Sequence, residues 1–231
     1  TRTPRPTRWC SHSREPCARV RPDGGASRTS DRDPRPAPGP APDFATKPTL
    51  RGQHVTLRPM TGEDAEAMAQ ILSDPQVRLL TGSVETTAQA HEPWSLDDTL
   101  VQWYSSRPDQ DDRLDLAIED EAGTLVGEVV LNDYDPQERT CNLRVLIGPA
   151  GRDRGLGTEA VALTTSYGIR DLGLTRITLE VLDTNPRGRR VYEKVGYRPT
   201  GHRDQAAVLD GQDIGALDMS VDADTWPGYP A

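Results

Sequence analysis

The stretch Val145-Leu-Ile-Gly-Pro-Ala-Gly-Arg-Asp-Arg-Gly-Leu-Gly-Thr158 constrains this chain more than any other. An apolar run from Leu143 to Ile147 reads as a strand. It enters a Gly148-Pro149-Ala150-Gly151 corner, and Arg152, Arg154, Gly155 and Gly157 precede a helical pattern. Backbone N–H groups of a first helical turn have no partners within the helix and carry partial positive charge, so an anion sits there favourably. Glycines remove the Cβ atoms that would hold a ligand off the backbone, and arginines add charge in a geometry suited to phosphate. The loop from Arg152 to Thr158 (Arg152, Asp153, Arg154, Gly155, Leu156, Gly157, Thr158) is therefore expected to cradle a phosphorylated ligand.

Two ligands suit such a cradle. Gly155-Leu-Gly157-Thr-Glu-Ala160 matches the dinucleotide fingerprint G-x-G-x-x-A, but that fingerprint should follow its strand at once and open a parallel sheet. Here the preceding strands, Leu114 to Ile118, Leu125 to Asp133 and Cys141 to Ile147, are joined by short turns and are expected to be antiparallel neighbours. Gly127 within the second marks a bulge or a close backbone approach. Upstream, Val55 and Leu57 alternate with polar residues as a strand. Thr61 and Asp64 then approximate a capping box, opening a helix that Ser73-Asp-Pro75 closes. Residues 76–94 read as irregular, with a second helix opening at Ser95. Trp94, Trp103 and Tyr104 line a pocket or pack that helix on the sheet; His91 reads as surface.

Downstream of the loop, Leu156, Ala160, Leu163 and Tyr167 form one stripe of a helix over residues 156–172, which Gly173 ends. Thr175 to Leu182 alternates and is β-branched, a strand. Strand, helix and strand make a crossover, so strands 141–147 and 175–182 run parallel. Asn185 suits the cap and Pro186 the first turn of a short helix ending at Gly196. A strand pair at about 197–206 and 212–221 completes the sheet.

Three features carry a resemblance. They are Arg152-x-x-Gly155-x-Gly157, the later Asn185 with Tyr192-Glu-Lys-Val-Gly196-Tyr197, and the opening pattern of strand, Leu57-Arg58-Pro59 and helix ending at Asp74-Pro75. Together they resemble the GNAT superfamily of acyl-CoA N-acyltransferases, in its branch of ribosomal-protein-alanine acetyltransferases, over roughly residues 50–225. The resemblance implies an α+β fold: a mixed, mostly antiparallel sheet of 6–7 strands with flanking helices and a central parallel splay. It implies acetyl-CoA as co-substrate, with the diphosphate on the Arg152–Thr158 loop and the pantetheine arm near Ile147 and Asn185. Acetyl transfer needs a donor for the thioester oxygen, for which the Ile147 N–H is the candidate, and an acid for the leaving thiolate, for which Tyr192 is the candidate. Attack is expected to be direct, since no base is placed by spacing to activate Cys141. In the resembled branch a glutamate often stands on the strand before the loop; here Asn142 takes that place, and asparagine takes no proton. Asp133, Asp183, Glu128, a water chain or an already neutral amine remain as the alternatives.

Composition bounds the partners. Residues 1–45 hold nine prolines and nine arginines against five acidic residues, and read as a disordered tail. It is either a basic arm or a stretch without function, upstream of the true start. The chain totals −9 and the tail +4, leaving −13 on residues 46–231. That field disfavours nucleic acid and attracts cations. The expected acceptor is an aminoglycoside-like or polyamine-like amine, or a protein N-terminus. A non-catalytic acetyl-CoA-binding module is the alternative. No apolar run reaches membrane-spanning length, three cysteines without a C-x-x-C pair suggest no metal site and a reducing, cytoplasmic setting, and a homodimer is admitted.

Overall fold

The computed structural model describes residues 42–93 and 96–229. Most of the Arg/Pro stretch, with Cys10, His12 and Cys17, lies outside the described residues, as do Trp94 and Ser95. Phe44, inside the span assigned to the tail by composition, is buried at 2% exposure and its ring centroid stands 5.3 Å from that of Tyr134. The Lys47 ammonium nearby donates to the carbonyls of Phe44, Gln110 and Arg113.

The strands are β1 (Leu50–Arg51), β2 (Val55–Pro59), β3 (Leu114–Asp120), β4 (Leu125–Asp135), β5 (Thr140–Ile147), β6 (Arg176–Leu182), β7 (Arg198–Leu209) and β8 (Gln212–Asp222). They form one sheet of eight strands in the order β1-β2-β3-β4-β5-β6-β8-β7. The extra strand over the sequence expectation is the two-residue β1, too short to show a period. Every neighbouring pair is antiparallel except β5 and β6. A single parallel pair inside an antiparallel meander removes the dinucleotide alternative, which needs a parallel sheet opening on the glycine loop.

The helices are α1 (Ala65–Leu72), α2 (Pro75–Leu80), α3 (Thr87–Ala90), α4 (Asp98–Ser105), α5 (Leu156–Arg170) and α6 (Pro186–Val195). The irregular reading of 76–94 is corrected here. Asp74 caps α2 through the Val77 amide at 2.9 Å, with Pro75 in the first turn. Thr86 and Gln89 cap α3, and the β7–β8 hairpin tip holds it: Thr87 N–H donates to the Asp210 carboxylate at 2.9 Å and Asp210 N–H to the Glu85 carbonyl at 2.8 Å. Helices of six and four residues are too short for an apolar period to be legible. The cap of α4 is Asp97, whose carboxylate accepts from the Leu100 amide at 2.8 Å.

Two cores flank the sheet. On one face, α5 and α6 contribute Leu156, Ala160, Val161, Tyr192 and Val195 against Leu116, Val129, Leu131, Leu143 and Ile177. On the other, α1 and α4 contribute Met68, Leu72, Leu100 and Tyr104 against Ala117 and Leu146. The alternation of side chains along β3 and β5 sends Leu116 and Ala117, or Val145 and Leu146, to opposite faces. The buried surface of α5 is wider than its apolar stripe, since Thr164 and Thr165 are also fully buried. At Gly127, a Cβ would overlap the Leu146 carbonyl, so the close backbone approach is realised.

Candidate functional site

The parallel pairing of β5 with β6 spans only Thr140↔Arg176, Cys141↔Ile177 and Asn142↔Thr178. Beyond Asn142 the two strands diverge. The Gly148 amide bonds the Val126 carbonyl at 2.8 Å, and β4 pairs Gly127 with Ile147 in the same register. Antiparallel alternation then turns the Ile147 N–H away from β4, toward the gap that β6 has left. A backbone donor is thereby presented inside the splay, at the mouth of the glycine loop.

The loop is built from backbone. Asp153 has φ 60° and Gly155 φ 81°, left-handed values that turn the chain into α5 with Gly155 as its N-cap. Thr158 and Glu159 both donate to the Gly155 carbonyl, at 3.0 and 3.2 Å. The amides of Asp153, Arg154, Gly155, Leu156 and Gly157 have no acceptor among the described residues. Consecutive free N–H groups at the start of a 15-residue helix make an anion site. The two glycines serve different ends. Gly155 is required by its φ, whereas a Cβ on Gly157 would come within 3.2 Å of the Ile147 side chain.

The arginines are engaged within the chain. The Arg152 guanidinium pairs with Asp74 and donates to the Ile147 carbonyl at 3.3 Å. Arg154 pairs with Asp120 at 2.9 Å and donates to the Ala150 carbonyl at 3.1 Å. Both carboxyls are held below their usual range: Asp120 chiefly by Arg154, and Asp74, which burial would raise, by the combined pull of Arg152 and the Val77 amide. Arg152 and Arg154 thus buttress the loop from both sides. Asp153 reaches Arg187 of α6 at 3.4 Å, tying the loop to the next helix.

Asn185 accepts from the Gly188 amide at 2.9 Å, the N-cap of α6. A cavity of about 260 Å³ opens beside it, with Leu182 and Leu217 in its apolar wall and Asp183, Asn185 and His202 among its polar groups. Asp183 is bonded to His202 at 2.9 Å there. Tyr192, on α6, is 7% exposed and meets Tyr197 edge-on at 6.1 Å. Its hydroxyl has no hydrogen-bond partner among the described residues, and burial pushes its pKa up to about 12.

The acids the sequence offered as bases stand in different surroundings. Asn142 is bonded to Asn132 at 3.1 Å. Asp133 is exposed, with φ 54° and Asn132 as its partner. Glu128 differs from both. It stands on β4 between Ala117 and Leu146, on the sheet face that α1 and α4 cover, and it is only 9% exposed. Burial, then the Asp115 carboxylate, push its carboxyl up to about 7, against the opposing pull of Arg144, the Tyr104 hydroxyl and Arg113. Such a group exchanges a proton near neutrality. Glu128 was one acid among several in the sequence; its enclosure by Tyr104, 24 residues upstream, had no local signal. Cys141 is 1% exposed and burial pushes its thiol up to about 12, which disfavours the thiolate that a nucleophile needs.

Among the described residues no cluster of three or more His, Cys, Asp or Glu is placed to hold a metal ion, and no helix is long and apolar enough to cross a membrane.

Comparison with known proteins gives a consistent pattern. The acetyltransferase (GNAT) domain model matches residues 54–198, more than half of the chain. Alpha/beta-tubulin-N-acetyltransferase 9 of Mus musculus is 27% identical over 162 residues, and the match covers 64% of this chain and 64% of that enzyme's length. Spermidine N(1)-acetyltransferase of Escherichia coli is 27% identical over 99 residues, covering 43% of this chain and 53% of that one. Among solved structures, spermidine N-acetyltransferase from Vibrio cholerae in complex with CoA and spermine superposes with a TM-score of 0.66 at 19% identity, over 76% of this chain and 99% of that one. A probable acetyltransferase gives 0.65 at 21% identity, over 77% and 98%. At those identities the superpositions speak for the fold.

Proposed function

From the premise that this chain belongs to the acetyltransferase (GNAT) domain family, we propose that it transfers an acetyl group from acetyl-CoA to a primary amine by direct attack. The observation that carries this reading is the run of unbonded amides from Asp153 to Gly157 at the start of α5, beside a β5 edge freed by the splay. The residues fit a thioester carrier: a backbone anion cradle, an extended edge for an amide-bearing arm, and Asn185 at the head of α6.

When bound, acetyl-CoA supplies an activated acetyl carbonyl and a thiolate leaving group. The amides of Asp153 to Gly157 take the diphosphate, buttressed by Arg152 and Arg154, with Asp153, Leu156 and Thr158 shaping the same turn. The Ile147 N–H donates to the carbonyl oxygen as charge develops there. Glu128 accepts the proton that the amine gives up as its nitrogen bonds to the acetyl carbon. Tyr192 gives its phenolic proton to sulfur as the carbon–sulfur bond breaks; its elevated pKa keeps that proton in place at rest.

The acceptor proposed is a cationic small molecule, polyamine-like or aminoglycoside-like, or a protein N-terminus. The charge of −13 on residues 46–231 supports a cation, and the relatives named above act on spermidine in one case and on tubulin in another. Titration of the pure protein with acetyl-CoA, followed by thiol release with spermidine, kanamycin and short peptides side by side, tests the reading. Binding followed by thiol release with one acceptor class is the expected result. Binding with no release across the panel points instead to a non-catalytic acetyl-CoA module, and absence of binding overturns both.

A further inference from the structure

We infer that Tyr104 is a positioning residue for Glu128, its phenol holding one carboxylate oxygen so that the other remains to take the proton. The inference rests on the reading of Glu128 as the base. Tyr104 is 1% exposed, in the last turns of α4, and its hydroxyl donates to Glu128 Oε2 at 3.3 Å. The helix that carries it is fixed at both ends. Asp97 caps its first turn, and Arg107 just beyond its end donates to the Trp103 carbonyl at 2.9 Å while its guanidinium stacks on the Trp103 ring at 3.8 Å. Leu100 and Tyr104 anchor the apolar face in the same core as Leu146, the strand neighbour of Glu128. The phenol therefore has little freedom to leave its partner.

Charge around the pair makes this contact consequential. Asp115 of β3 lies on the same sheet face, held by two bonds of 2.7 Å from Arg113. Arg113, Arg144 of β5 and Arg107 after α4 also interact electrostatically with Glu128. Asp115 opposes a second negative charge on this face, whereas the Tyr104 hydroxyl stabilises it. A donor that bonds the ionised carboxylate and itself titrates well above its ordinary range, through burial and the Glu128 charge, cannot exchange roles with the base. Tyr104 thus joins Arg144 and Arg113 in drawing Glu128 back toward neutrality, and it does so through a hydrogen bond to one carboxylate oxygen.

Two variants test this with opposite signs. Tyr104→Phe retains the ring and removes the donor; 2,3-difluorotyrosine placed at 104 retains the size and strengthens the donor. The Glu128 titration is read directly by 13C-carboxyl NMR of labelled glutamate, assigned with Glu128→Gln, without acceptor or acetyl-CoA. In parallel, kcat/KM against pH is read with the amine found in the acceptor panel. In Tyr104→Phe the Glu128 midpoint should rise by about half a unit, so that the low-pH limb of kcat/KM falls about threefold relative to its plateau. In the difluorotyrosine protein both should move the other way. A midpoint that stays put, or that moves in the same direction in both proteins, overturns the inference. Should Tyr104→Phe fail to fold, the sign of the difluorotyrosine shift decides alone. A midpoint that moves while the rate limb does not keeps the Tyr104–Glu128 hydrogen bond but removes Glu128 as the base, and the positioning role with it.

Discussion

The two ends of the splay are built by different means. At the loop end, the groups proposed to meet the diphosphate are consecutive in sequence, and they are backbone amides. At the acceptor end, the proposed base Glu128 takes its properties from burial, Asp115 on β3, Arg144 on β5 and Tyr104 on α4. The first end should be the less sensitive to loss of a single side chain, because its donors belong to the main chain. The second should be the more sensitive, because each side chain sets the state of its neighbour in a medium where charge is poorly screened.

The largest effect separating the ends is expected from Glu128→Gln. Removal of a general base should lower turnover by about a hundredfold or more, while acetyl-CoA affinity measured by calorimetry stays within about twofold, since the amide cradle is untouched. Equal losses in turnover and affinity would break the division. Tyr192→Phe should lower turnover about tenfold with affinity again preserved; unchanged turnover would make Tyr192 purely structural.

The converse experiment addresses the loop. Arg152→Ala together with Arg154→Ala should weaken acetyl-CoA binding about tenfold, roughly the worth of one charge-assisted contact. Part of that loss arises indirectly, since Asp74 and Asp120 lose their partners and the loop loses its buttresses. Calorimetry at two salt concentrations separates the parts, because only a direct phosphate contact weakens strongly with salt. Salt-independent weakening would assign both arginines to the frame of the loop.

Stability offers a quieter test. Glu128 titrates near 4.5 when unperturbed and is pushed up to about 7 in the fold. Between those values the folded chain holds a proton that the unfolded chain has released, so stability falls as pH rises through that window. Glu128→Gln lacks the titration. Relative to the parent, it should therefore gain up to roughly 3 kcal/mol at about pH 8 compared with about pH 4, read from chemical denaturation at both. The smallest expected change is that of Cys141→Ala. Turnover should stay within about twofold, because a thiol pushed up to about 12 carries no acyl group. A large loss of turnover would reopen the covalent route.

The same contrast explains what could be read from the residues in order. The strand preceding the loop, the glycine turn, α5, β6, and α6 with its Asn185 cap and Gly196 terminator all came from local rules. Each depends on neighbours within a few residues, as the Asn185–Gly188 bond and the φ of 113° at Gly196 illustrate. Short elements escaped. Helix α3 is secured by Asp210 from a hairpin more than a hundred residues away, so its own four residues could not announce it.

Within the site, the order of residues determined the backbone: a glycine turn free to take left-handed angles and a helix start whose amides no intrahelical acceptor can reach. Local sterics and helix geometry suffice for that. Tertiary structure decided the electrostatics. Only the assembled sheet brings Asp74 to Arg152 and Asp120 to Arg154, closes Tyr104 over Glu128, and leaves Asn142 bonded to Asn132. Charge and burial act through space, and spacing along the chain does not encode which groups will share a low-dielectric volume.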